Sequence, residues 1–122
     1  MSGELRSFME RLPFAPIVYS KPPRSLFPRK LRTGMIDTMN VSEEMCMQRG
    51  YPLMMNAAEA SLKMILGEAE TLCCYDTYQF PDYSKVSMEH FAPEKKALRR
   101  QEIFLTDCQK AFDLGYRLAT KG

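Results

Sequence analysis

Five of the eight prolines, Pro13, Pro16, Pro22, Pro23 and Pro28, fall within one stretch of sixteen residues, and no other feature restricts the fold so severely. Proline has no N–H to donate, and its ring clashes with the preceding helical turn. The stretch therefore cannot hold a continuous helix or a central strand. The sequence predicts an extended, polyproline-like arm over residues 13–39. At about 3.1 Å per residue, the span from Pro13 to Arg32 reaches on the order of 60 Å. A compact chain of 122 residues has a radius of gyration of only about 14 Å. The arm is therefore expected to find its surface on neighbouring molecules.

The arm is also too apolar for a solvated linker. Phe14, Ile17, Val18, Tyr19, Leu26 and Phe27 recur along it, with Arg24, Arg29, Lys30 and Arg32 between and after them. A linker that stays in water has no use for such anchors. Apolar anchors with cations at the rim suit pockets on protein partners, or a surface beside anionic lipid head groups. The same cations, with Tyr19 and Phe27, also suit phosphate contact and base stacking on RNA. The net charge of +2 is unevenly spread: residues 1–34 carry seven Lys/Arg against two acids, residues 35–92 three against nine, and residues 93–122 seven against four. An acidic middle disfavours a chain coated by RNA, so protein is the expected partner and RNA the alternative.

Outside the arm the periodicity is helical. Leu5, Phe8, Met9 and Leu12 share one face of a short amphipathic helix stopped by Pro13. Its acids, Glu4 and Glu10, favour a retained docking helix over a mitochondrial presequence. Asn40 or Ser42 can cap a short helix that ends at Gly50, and Pro52 suits the first turn of a longer one. From Pro52 to Cys74, Ala58, Leu62, Ile65, Ala69 and Leu72 step by 4, 3, 4 and 3, an apolar seam for a partner helix. Ser87 can cap one turn through His90. A final helix is expected from about Pro93 to Thr120, with Leu98, Leu105, Cys108, Phe112, Gly115, Leu118 and Ala119 on the apolar face that meets the seam. With only four Ile and three Val, strands are poorly provisioned.

Catalytic constellations are hard to assemble from these residues. His90 is the one histidine, with no nucleophile in a recognisable turn beside it. The four cysteines, Cys46, Cys73, Cys74 and Cys108, lack C-x-x-C spacing and read as small buried hydrophobes in a reducing compartment. Packing of the two long helices would permit a Cys73–Cys108 bridge. A thiol or metal factor built on Cys73, Cys74, His90 and Cys108 is the remaining chemical alternative. The acid pairs Glu43/Glu44 and Glu68/Glu70 do not face one another on a helix. No glycine-rich phosphate loop is present, and no apolar run of about 18 residues is available to span a membrane. The expectation is no enzyme, no cofactor, no metal and no small-molecule substrate.

The predicted fold is mainly α: a small helical hairpin of two longer helices plus one short helix, with a long extended Pro-rich N-terminal arm. Its parts are a short amphipathic helix (1–12), the basic arm (13–39) and a small helical domain (40–122). This layout resembles the accessory subunits that decorate large assemblies. The resemblance implies a non-catalytic structural subunit of a mitochondrial membrane-associated energy-transducing complex, a respiratory complex or ATP synthase, on the inner membrane or its matrix side. The alternatives it implies are an RNA-contacting mitochondrial ribosomal accessory protein and a ciliary microtubule inner protein. A cytoplasmic location is the alternative to a mitochondrial one.

Overall fold

The structure, a computed structural model, describes residues 2–87 and 92–120. In chain order the elements are α1 (Gly3–Arg11), a 3-10 turn (Leu12–Phe14), β1 (Ile17–Val18), β2 (Arg24–Ser25), β3 (Leu31–Thr38), α2 (Glu43–Gln48), α3 (Tyr51–Leu66), β4 (Gly67–Cys74), a second 3-10 turn (Tyr83–Lys85), α4 (Pro93–Glu102) and α5 (Phe104–Thr120). Helices hold 56% of the described residues and strands 17%, in two two-stranded sheets. This overturns the mainly α hairpin: the fold is mixed, with one strand pair, β1–β2, in the arm and another, β3–β4, in which β3 precedes α2 and β4 follows α3. The turn expected after Ser87 lies outside the described residues, as does His90 itself.

Two local causes correct the helix assignments. The helix expected to run from Pro52 to Cys74 stops at Leu66, because Gly67 adopts φ +128 and ψ −99, a conformation strained for any residue with a Cβ. A Cβ there would also lie 3.2 Å from the Leu31 carbonyl oxygen. Beyond it Glu68 and Glu70 point outward while Ala69 is buried, the two-residue alternation of a strand. The predicted seam is thereby split, with Ala58, Leu62 and Ile65 on α3 and Ala69 and Leu72 on β4. The helix expected from Pro93 to Thr120 breaks at Ile103 into α4 and α5. Arg99 and Asp107 pair across that break with an N–O distance of 2.6 Å. Eight residues of straight helix would separate them by about 12 Å, so the bend is what lets them meet.

The chain forms two compact units, one of residues 1–35 and 50–71, the other of residues 36–49 and 72–122. In the first, Leu62, Ile65, Leu66 and Ala69 form the core, and Met9, Leu12, Ile17, Phe27 and Met35 pack against it. Each fully buried aliphatic side chain contributes about 1.5–3 kcal/mol. The proline-punctuated stretch is thus not a freely extended arm. It turns back through the antiparallel β1–β2 pair, with Ile17 opposite Ser25 and Val18 opposite Arg24, and packs on α3. Prolines are accommodated because each strand is only two residues long and Pro16, Pro22 and Pro23 fall outside the paired positions.

In the second unit α4 packs against α5, and Val41, Cys46, Cys74 and Leu114 are buried. Ser42 caps α2 by accepting a hydrogen bond from Met45 N–H at 3.2 Å, and Glu43 and Glu44 occupy its electropositive first turn. The buried side of α5 carries Asp107 and Leu114, with Ala111 and Leu118 half-buried between and beyond them. Leu105, Cys108 and Phe112, expected to meet the α3 seam, are exposed, which completes the correction of the hairpin.

Candidate docking surface

The arm's geometry follows from one serine. Ser25 Oγ donates to the Ile65 carbonyl at 2.8 Å and accepts from Phe27 N–H at 3.1 Å. It thus satisfies a carbonyl left unpaired at the end of α3 while fixing the start of the next segment. Leu26 N–H donates to the Pro16 carbonyl at 2.6 Å, and Ser20 Oγ donates to the Pro22 carbonyl at 2.8 Å. Farther on, Thr33 Oγ1 donates to the Glu68 carbonyl at 2.9 Å and Arg32 Nε pairs with Glu68 Oε2 at 3.2 Å.

This pinning sorts the arm residues chosen from the sequence into two sets. Ile17 and Phe27 face the core, and Val18 is half-buried beside Ile17. Tyr19 is 81% exposed, Phe14 74% and Leu26 60%. Lys21, Arg24, Arg29 and Lys30 are exposed as well, whereas Arg32 is half-buried against Glu68. The first unit therefore presents three large apolar side chains with four cations, on a segment whose other side is fixed to its own core. Of the predicted seam, Leu62, Ile65 and Ala69 are buried, and Ala58 and Leu72 half-buried.

The second unit holds a partly buried charge cluster, which sequence reasoning missed. Lys96 is only 2% exposed, and its Nζ lies 2.6 Å from the Asn40 carbonyl, 2.8 Å from Asp76 Oδ1 and 3.3 Å from the Thr77 carbonyl. Asp76 adopts φ +56 to reach this position, while its N–H donates to the Val41 carbonyl at 2.8 Å. Beside the cluster is a cavity of about 230 Å³ lined in part by Thr38, Asp76, Arg99 and Arg100. Arg100 lies 5.3 Å from the Tyr78 ring centre and 5.5 Å from that of Phe104, positions that cation–π attraction favours. The three Lys96 donors meet protein acceptors, and Arg99 meets Asp107.

Two of the thiols, Cys73 and Cys74, are equally subdued. All four cysteines are free, with Cys46 and Cys74 buried, Cys73 half-buried and Cys108 exposed. Burial pushes the Cys73 thiol up from its ordinary value, and it does the same at Cys74, where the Asp107 carboxylate adds to the effect. Burial also drives Tyr75 up to about 12, reinforced by Cys73 beside it. A reactive thiol needs the opposite surroundings, electropositive and partly exposed. Among the described residues no three His, Cys, Asp or Glu side chains gather to hold a metal ion, and no helix is long and apolar enough to cross a membrane.

Sequence reasoning also missed Ser25, Asp107 and Met35. A serine within a proline-rich stretch carries no signal for the distant carbonyl that it will meet. The i, i+8 spacing of Arg99 and Asp107 becomes readable only if the helix break is known. Compared with family models, with curated proteins and with solved structures, the chain gives no match.

Proposed function

We infer that the protein is a non-catalytic accessory subunit of a large multiprotein assembly and grips a neighbouring subunit through the outward side of its arm. The observation that carries this reading is the outward projection of Phe14, Tyr19 and Leu26 from a segment whose inner side is fixed to the core. Exposed aromatics on a rigid support are the usual anchors of protein interfaces. Lys21, Arg24, Arg29 and Lys30 call for a partner with acids at its rim. The arm is already folded, so docking does not again incur the roughly 1 kcal/mol per residue needed to order a loose backbone.

The host proposed is a mitochondrial membrane-associated energy-transducing complex, a respiratory complex or ATP synthase, approached from the inner membrane or its matrix side. Support comes from the α1 helix, which leaves Leu5 and Phe8 exposed beside Arg6 and Arg11, an amphipathic surface suited to lipid head groups. The test is native purification of the full chain with identification of co-migrating proteins, for wild type and for Tyr19→Ala/Leu26→Ala. The reading expects a defined multiprotein partner set that the double variant loses while its melting temperature holds. Salt-sensitive recovery of RNA instead would contradict it, as would a partner set that the double variant retains.

A further inference from the structure

The α5 helix is apolar on two sides, and only one is used within its own unit. At about 100° per residue, Asp107, Ala111, Leu114 and Leu118 cluster on the inward side. Leu105, Cys108, Phe112, Gly115 and Ala119 form a second stripe roughly a third of the way round. These five step by 3, 4, 3 and 4 residues, the spacing of a coiled-coil seam. Leu105 is 74% exposed, Phe112 67% and the adjoining Tyr116 62%. The charged Lys110, Asp113 and Arg117 fall on the remaining side, so the stripe is neutral along its length.

Gly115 supplies an independent observation. Glycine weakens a helix interior relative to alanine, yet a Cβ at Gly115 would meet nothing within 4 Å. Among the described residues nothing gives a packing reason for the missing side chain. A second backbone brought close to this stripe would give one.

We propose that this stripe is a homodimer interface, in which α5 pairs with α5 of a second copy in antiparallel orientation. In antiparallel coiled coils the two alternating seam positions face each other, and here that puts large residues against small ones at every layer. Leu105 meets Gly115 of the second copy and Cys108 meets Phe112, and the twofold axis repeats both pairs in reverse. The register centres on residue 110, where no large side chain opposes another. Leu105, Phe112 and Tyr116, with Cys108, Gly115 and Ala119, leave on the order of 500 Å² uncovered per copy. Two copies therefore bring together about 1,000 Å², the size at which specific interfaces begin, which points to a dimer of micromolar affinity. This surface belongs to the second unit and the arm's outward face to the first, so the two readings fail independently.

Sedimentation velocity of the isolated full-length protein over a concentration series tests the proposal. The wild type should shift from 14.1 kDa toward twice that mass, and Phe112→Ser should stay monomeric with an unchanged melting temperature. Gly115→Gln is the sharper variant: it fills the space meant for the opposing Leu105, so it should abolish the dimer while raising the melting temperature of the monomer. A short bis-maleimide should link wild-type copies through the exposed Cys108, and Cys108→Ser should not be linked. A wild type that remains monomeric overturns the proposal and assigns the stripe to a different protein. Assembly beyond the dimer, or a dimer that survives both Phe112→Ser and Gly115→Gln, overturns it as well.

Discussion

The Lys96 ammonium carries three protons, and three acceptors stand ready for them: the Asn40 carbonyl, the Asp76 carboxylate and the Thr77 carbonyl. Removing the cation leaves these groups facing a space that water reaches poorly, except on the Asp76 side, where the carboxylate keeps about a third of its exposure. Lys96→Met should therefore cost about 2 kcal/mol in urea denaturation, and an unchanged midpoint would show the cluster to be dispensable. The Cys73 and Cys74 thiols and Tyr75 make a separate prediction at high pH. Their folded-state values are raised, so the folded chain holds these protons more tightly than the unfolded chain. Stability is then complete below the ordinary thiol value of 9.0 and falls as pH rises toward the Tyr75 value of about 12. Tyr75→Phe removes the upper part of this titration, and thermal melts should show a smaller loss between the ordinary tyrosine value of 10.0 and about 12. An identical alkaline profile in that variant would place the cause elsewhere.

Among the elements, β1 and β2 are the pair whose two faces make opposite predictions. Phe27→Ala removes a ring packed on the Ile65 core and should destabilise by about 2–3 kcal/mol. Ser25→Ala should lose about 1 kcal/mol by leaving the Ile65 carbonyl unpaired. Tyr19→Ala changes an outward side chain and should stay within about 0.5 kcal/mol of wild type. Guanidinium titration of the three variants separates the faces, and a large loss at Tyr19 would contradict the assignment. The sequence makes α1, the Ser42 cap and the first turn of α3, which holds Pro52, readable because each depends on neighbours within one turn. It misleads at Gly67, where Ile65, Ala69 and Leu72 continue a helical seam although the glycine's positive φ and the Glu68/Glu70 alternation belong to a strand. It misleads again at α5, where an apolar stripe at helical spacing is taken for the buried one. Periodicity shows that Leu105, Cys108 and Phe112 share a face, but it does not say which of two apolar faces the chain itself covers. Leu114 and Leu118, on the other face, carry the inward contacts.

For the whole molecule, the proline run decides what kind of subunit the proposed reading makes of it. A loose arm of this length would have to be ordered by any partner, whereas the fold-back onto α3 orders it beforehand and leaves some of its side chains packed and others exposed. Phe14, Tyr19 and Leu26 are then a standing surface. Charge follows the same division: the basic N-terminal third, at net +5, supplies the rim of the outward face, and the acidic middle lies in other elements. Hydrogen exchange of the isolated full-length chain tests this most directly. Backbone N–H groups of Leu26 and Phe27, bonded to the Pro16 carbonyl and to Ser25 Oγ, should exchange far more slowly than an open chain, in step with the amides of α3. Exchange at open-chain rates throughout residues 13–34, while α3 stays protected, would contradict the folded arm and the docking surface built on it.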